Sequence, residues 1–419
     1  MLHLSKAENH DCLLTFLILT LIYYLPSLLF IQLQTSSLAP GLFLASLVVI
    51  ALTFKARYLK RINKKSFVYF WILSILLIST SIFLFYFTSN KKPLAAFVLI
   101  TLAVSAFLFS QRIAEGSTAG ILKGIYYFIV FTLVLGWLSY FNLSDFGSYA
   151  TRYKPVAPFS EESHYALCIG FLAGAYSVVA NFRKIVFITF NIIAQAILFP
   201  NLTLLVFVTL IIVILFARLN PKYFIATSTI IILALSNLLS FVITNNEYFA
   251  SRLNFDESDN LTTLVWLQGW DLAKINFINT NGLGLGFQML GSENTSLSTY
   301  SYLTEKIAGQ YKNLEDGGFL AAKIIAELGI AGLLIVGFYI IYLMGFIRTL
   351  NNNNKLPKLF NPALKNEIHN LKKLFCQGLL FFFVVEFFLR GYGYFSPSLY
   401  MVLTGIFLLT STKSKHEAH

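Results

Sequence analysis

The sequence predicts an all-α polytopic membrane protein of about 12 transmembrane helices with one long outer loop. Three observations carry this. Of its 419 residues, 57% are hydrophobic and only 12% are charged, at a mean hydropathy of +0.71. A water-soluble chain of this length needs far more charge on its surface, whereas a bilayer solvates apolar faces directly. Apolar runs then recur along the whole chain, and lysine and arginine crowd into alternate connections between them.

The runs fall at 12–34, 38–54, 66–88, 94–110, 121–143, 164–180, 185–199, 201–217, 223–243, 318–347, 375–389 and 397–411. The first is too long for a signal-peptide core and reads as an uncleaved span. The stretch 185–217, interrupted at Pro200-Asn201, reads either as two short spans or as one broken segment. Residues 1–243 thus hold spans one to nine, with an outer loop at 144–163. Residues 244–317 form the long loop, and 318–419 hold the last three spans and a tail.

Direction follows from the basic residues. Lys55, Arg57, Lys60, Arg61, Lys64 and Lys65 share one connection, and Arg348, Lys355, Lys358, Lys365, Lys372 and Lys373 share another. Both fall on one side under a twelve-span reading, which makes that side cytoplasmic. Most acids collect opposite, in 144–163 and 244–317. The formal charge of +12 is therefore a membrane-orientation signal, with no basic aromatic-studded domain on which nucleic acid would lie. Cys12, Cys168 and Cys376 are far apart and form no metal or disulfide pattern.

Within the long loop, Leu261 to Trp270 has apolar residues at helical spacing, which suits a helix in the membrane interface with Trp266 and Trp270 at headgroup depth. Gly282-Leu-Gly-Leu-Gly-Phe287 has no Lys-Ser/Thr after it and no βαβ context. It reads as a turn that lets backbone approach something closely.

The candidate chemistry lies on the outer side. Arg152, Arg252 and Arg390 each offer a planar donor fork that can hold a diphosphate leaving group, or else snorkel to lipid headgroups. Glu386 precedes Arg390 by four residues, as Lys323 precedes Glu327, so each pair shares a helix face. Phe159-Ser-Glu-Glu-Ser-His-Tyr-Ala166 is the densest titratable cluster. Glu161, Glu162 and His164 can orient a sugar hydroxyl or act as base, and Ser160 or Ser163 can cap a helix. Asp316 closes the long loop, placed either to take a proton or to cap the next span. Tyr149, Tyr153, Tyr300, Tyr302, Tyr392 and Tyr394 add aromatic faces suited to sugar rings or to an interface.

In order along the chain these features resemble the bacterial O-antigen polymerase family, often called Wzy, within the wider O-antigen ligase/polymerase superfamily. The resemblance rests on Arg152 followed by Phe159-Ser-Glu-Glu-Ser-His-Tyr-Ala166, with Glu162 where the family usually has proline. Then come Arg252, Trp266, Asn281 to Phe287, Asp316 before Ala326-Glu-Leu-Gly-Ile-Ala-Gly332, and Leu389-Arg-Gly-Tyr-Gly-Tyr-Phe395. It covers roughly residues 140 to 400. The resemblance implies a GT-C-like glycosyltransferase of the inner membrane, with its active face periplasmic and with neither metal nor cofactor. Its substrates would be undecaprenyl-diphosphate-linked donor and acceptor, with a chain-length regulator as a further partner. Arg152, Arg252, Arg390, Glu161 and Tyr392 would bind substrate, and Asp316, Glu162 or His164 would be the base. Ligases of the superfamily place a histidine near the position of Asp316, so the ligase reading is the weaker alternative. A flippase or transporter is the non-enzyme alternative, though repeated halves are missing from the sequence.

Overall fold

The computed structural model describes residues 5–35, 37–55, 58, 64–143, 156, 158–219, 229, 233, 260–351 and 368–413. Tyr149, Arg152, Tyr153, Arg252 and the expected span at 223–243, apart from positions 229 and 233, lie outside the described residues. All regular structure among the described residues is helical: α1 (Lys6–Gln32), α2 (Ala39–Thr53), α3 (Lys64–Thr88), α4 (Ala96–Glu115) and α5 (Thr118–Tyr140) come first. Then follow α6 (Glu162–Ser177), α7 (Phe182–Leu198), α8 (Leu202–Leu219), α9 (Leu261–Asn279) and α10 (Thr299–Ala308). The last are α11 (Leu320–Asn351), α12 (Ile368–Phe382), α13 (Val384–Phe388) and α14 (Pro397–Lys413).

Five segments among the described residues are long and apolar enough to cross a membrane: Lys6–Gln32, Phe70–Thr88, Lys92–Glu115, Thr118–Tyr140 and Leu320–Thr349. Ala39–Thr53, Leu202–Arg218 and Pro397–Thr410 are shorter apolar helices. Among the described residues the chain is thus all-helical, with apolar helices of the length that a membrane protein has. The ambiguous stretch 185–217 resolves into two helices, α7 and α8, because Pro200 has no N–H to continue the ladder and Asn201 restarts it, its Oδ1 accepting from Leu204 N at 3.1 Å.

Close packing of α1 on α5 depends on Gly120-Ile-Leu-Lys-Gly124. A Cβ at Gly120 would meet the Glu8 carbonyl oxygen at 2.5 Å, and one at Gly124 would meet the Cys12 carbonyl oxygen at 2.5 Å. Small residues four apart let two helix backbones touch, which is how helices associate when lipid removes the hydrophobic drive. Helix α6 lies at the centre, buried all round from Tyr165 to Ser177, as its uniformly apolar sequence requires. It packs on α5, α8 and α12. At the end of the bundle away from the α6 N-terminus, Arg112 pairs with Asp11, whose other oxygen accepts from Ser117 N at 2.6 Å.

The glycine-rich segment approaches a break in α11. Gly329, inside that helix, has φ 55° and ψ −125°, which interrupts the ladder. The segment supplies the missing partners: Leu285 N donates to Ala326 O at 3.0 Å, Gly286 N to Glu327 O at 2.8 Å, and Ile330 N to Gly282 O at 2.8 Å. A Cβ at Gly284 would lie 2.4 Å from Glu327 O, and one at Gly329 would lie 2.0 Å from Gly282 O. Only glycine fits where two backbones clasp this closely at positive φ.

Trp266 and Trp270, both half-buried, pack around Phe319, at 6.3 and 4.9 Å between ring centroids, and Trp266 Nε1 donates to Phe388 O at 3.0 Å. One expectation changes: the Glu386–Arg390 face does not form. Helix α13 ends at Phe388, and Arg390 N bonds back to Val385 O at 3.1 Å, so the turn widens and the guanidinium swings away.

Candidate functional site

The first half of the site is built at the start of α6. Glu161 is its N-cap residue and Glu162 opens its first turn, yet no side chain caps it. Ser160 and Ser163 do other work. Ser160 Oγ bonds His164 Nδ1 at 2.8 Å, and Ser163 Oγ donates to Glu161 Oε1. His164 Nε2 lies 3.1 Å from Glu161 Oε1. The same oxygen accepts from Arg390 Nη2 at 3.0 Å, and the Ser163 hydroxyl lies 3.5 Å from that guanidinium. The Tyr392 ring sits 4.2 Å from the His164 ring, tilted by 50°. Four residues distant in sequence, Glu161, His164, Arg390 and Tyr392, therefore form one cluster. Glu162 stands beside it, its carbonyl oxygen 3.5 Å from Asn201 Nδ2.

Burial alone would push the Glu161 carboxyl up. The His164 ring, the Arg390 guanidinium and the Ser163 hydroxyl outweigh that and hold it well below the ordinary carboxylate range. A lowered folded pKa gives a stabilisation that is complete above the ordinary value of 4.5 and drains away as pH falls below it toward the folded value. Melting curves of the detergent-solubilised protein should show that acid-side loss, and Glu161→Gln should flatten it. An unchanged acid slope in Glu161→Gln would refute this account of the cluster. Burial first, then the Glu386 carboxylate, holds the Tyr392 hydroxyl well above its ordinary value, so Tyr392 stays a neutral donor.

The second half is built at the start of α11. Lys323 is buried, with its side chain only 1% exposed. Its ammonium lies 3.5 Å from Glu327 Oε1, 3.1 Å from Gln288 Oε1 and 4.0 Å from Asp316 Oδ1, and it also donates to the Glu315 carbonyl. Glu327 is satisfied further by Gln288 N at 2.9 Å and Leu290 N at 3.1 Å. Asp316 is 52% exposed. A Cβ at Gly393 would come within 3.1 Å of its Oδ1, so the Arg390–Tyr394 turn runs beside it. The protein mass around Asp316 raises its carboxyl above the ordinary value, against the pull of Lys323, and Glu315 adds to the rise. The charge of His164 is also felt at Asp316, which ties the two halves together.

The sequence reading gave no role to Lys92 or Gln288. Lys92 Nζ pairs with Glu315 Oε1 at 2.7 Å. No spacing rule reaches across 223 residues, and only the fold brings that pair together. Among the described residues, no three of His, Cys, Asp and Glu come together in a way that could hold a metal ion.

An apolar crevice of about 460 Å³ lies between α3, α4, α11, α13 and α14. Phe70, Ile100, Ala103, Leu320, Phe387 and Tyr394 are among its walls. Tyr394 also belongs to the charged site, since Lys323 Nζ stands 5.4 Å from the centre of its ring. Tyr394 is thus shared by the wall of the apolar space and the buried cluster around Lys323. Comparison with family models, with curated proteins and with solved structures finds no match to this chain.

Proposed function

We propose that this chain is a surface-polysaccharide polymerase of the O-antigen type, working at the periplasmic face of a bacterial inner membrane. It moves a growing glycan from undecaprenyl diphosphate to the non-reducing end of a second lipid-linked repeat unit. The observation that carries the reading is the shared residue just described. An amphiphile with a long apolar tail and an anionic, sugar-bearing head suits an apolar crevice that shares Tyr394 with a cluster of charged side chains.

In this reading Arg390 holds the donor diphosphate, together with Arg152 and Arg252, and stabilises the charge that develops as it leaves. Asp316 takes the proton of the acceptor hydroxyl. Its raised pKa makes it a stronger base than an ordinary aspartate. The new glycosidic bond forms as the anomeric C–O bond to diphosphate breaks, and the electron pair leaves with the diphosphate. His164, held by Glu161 and Ser160, and Tyr392 offer a polar edge and a ring face for the sugar.

The test is reconstitution. The purified chain in vesicles, given undecaprenyl-diphosphate-linked repeat units, should build a ladder of lengthening products. Transfer only to lipid A core would identify a ligase, and translocation without growth a flippase, and either result overturns the reading. Ala103→Trp, which fills the crevice, should raise KM for the lipid-linked unit about tenfold, since excluding two methylene groups at about 0.8 kcal/mol each is enough. Its kcat should change little, because the crevice binds ground and transition states alike.

A further inference from the structure

One buried ionisable group has no part in this mechanism. Glu386 is 1% exposed, and no cation stands beside its carboxylate; the side chains that interact with it directly are the hydroxyls of Ser396 and Ser398. The other buried acids differ. Glu327 has Lys323 and two backbone donors, and Asp11 has Arg112 and Ser117 N. Even the partly open Glu161 has His164 and Arg390.

The surroundings of Glu386 are polar but carry no positive charge. From α1 comes Tyr23, 1% exposed, whose hydroxyl interacts with Ser398 and feels the Glu386 charge. Ser396 and Ser398, at the start of α14, lie close to the carboxyl. Tyr339 of α11 faces it, with its hydroxyl already donating to Leu380 O at 2.8 Å. Tyr392 faces it from above and feels both Glu386 and Glu161. Cys168 of α6 stands beyond Tyr23 and Tyr392. From α8 and α12 no charged group is felt at this carboxyl. A Cβ at Gly391 would meet Glu386 Cγ at 3.2 Å, so the acid lies directly under the Arg390–Tyr394 turn.

A carboxylate removed from water with no cation beside it is neutralised, by a proton or by a small ion. The nearest arginine in sequence, Arg390, is four residues on and bonded to Glu161 instead. That choice makes sense if Glu386 is uncharged. Once ionised, Glu386 would compete for the guanidinium from below.

We propose that Glu386 is a positioning residue that works by holding a proton: neutral, it leaves Arg390 to Glu161 and to the anionic substrate; ionised, it draws Arg390 inward and empties the anion site. Its catalytic consequence rests on the polymerase reading, whereas the proton site itself does not. Proton loss from Glu386 needs no co-reactant beyond hydroxide, and Tyr23, Ser396 and Ser398 offer the hydroxyls that would carry it.

The experiment uses the full chain in lipid nanodiscs and has two arms. Infrared spectra taken across a pH titration should show a protonated-carboxylic-acid carbonyl band at neutral pH that is lost as pH rises and is missing from Glu386→Gln. A band unchanged in Glu386→Gln overturns the proposal, and so does one that sodium chloride removes at constant pH, which would mark a cation site. The second arm is chain growth against pH. Wild type should lose activity roughly tenfold per pH unit above the Glu386 pKa, while Glu386→Gln, which mimics the neutral acid, keeps its activity and loses that alkaline limb. Equal alkaline limbs in the two proteins, or an inactive but normally melting Glu386→Gln, overturn the positioning role. If no chain growth occurs in either protein, the infrared arm still decides the proton site, so failure of the polymerase reading is told apart from failure of this one. If Glu386→Gln melts early, Glu386→Asp keeps the acid and should shift the limb without abolishing it.

Discussion

Arg390→Ala is expected to cut chain growth by roughly a hundredfold or more while leaving the protein folded. The magnitude follows from the usual worth of one transition-state donor, about 2.7–4 kcal/mol of barrier. The fold should survive because the guanidinium is 26% exposed and Glu161 keeps His164 and Ser163. The loss should appear in kcat, since the charge that Arg390 meets grows only as the diphosphate departs. Arg390→Lys should recover little, because a point-like ammonium cannot reproduce a planar fork. Product ladders from reconstituted vesicles, set beside melting curves of the same preparations, measure both halves. Near-normal ladders from Arg390→Ala would remove the residue from the mechanism.

Lys323→Met is expected to act on stability instead, with a loss of about 3–5 kcal/mol. Glu327 is fully buried beside it, and removing one partner of a buried pair leaves the other charge uncompensated. Glu327 would keep its two backbone donors, but they cannot replace a positive charge. Lys323→Met combined with Glu327→Gln should recover most of the loss, since the amide can still accept a bond from the Gln288–Leu290 backbone. Melting temperature in detergent and abundance in membranes are the readouts. If the double variant is no better than the single, the pair is not the source of the effect.

Much of this architecture could be read from the chain alone. Eleven of the twelve expected apolar runs coincide with helices, because a helix is the only open structure that satisfies its own backbone in an apolar medium. The cluster at Glu161 and His164 was visible as a density of titratable residues, and Arg390 and Tyr392 as polar groups at a span end. What stayed hidden was non-local. Glycines at 282, 284 and 286 announced a close approach but could not say that its object was the backbone of Glu327 to Gly329. The spacing of Glu386 and Arg390 misled because helical spacing means nothing once a helix stops, and the glycines at 391 and 393 were the signal that it would. The ion pair of Lys92 with Glu315 has no local signature at all.

The clasp between the glycine-rich segment and α11 also governs how the protein can be made. Residues 282–286 complete hydrogen bonds that a helix inserted later in synthesis leaves open, and that helix supplies the acceptors the segment needs. Neither partner's backbone is satisfied without the other, so residues 282–286 reach their final form only once α11 is in place, whereas α9 already holds α10 and the residues just before it through Gln268–Thr304 and Asn276–Ser296.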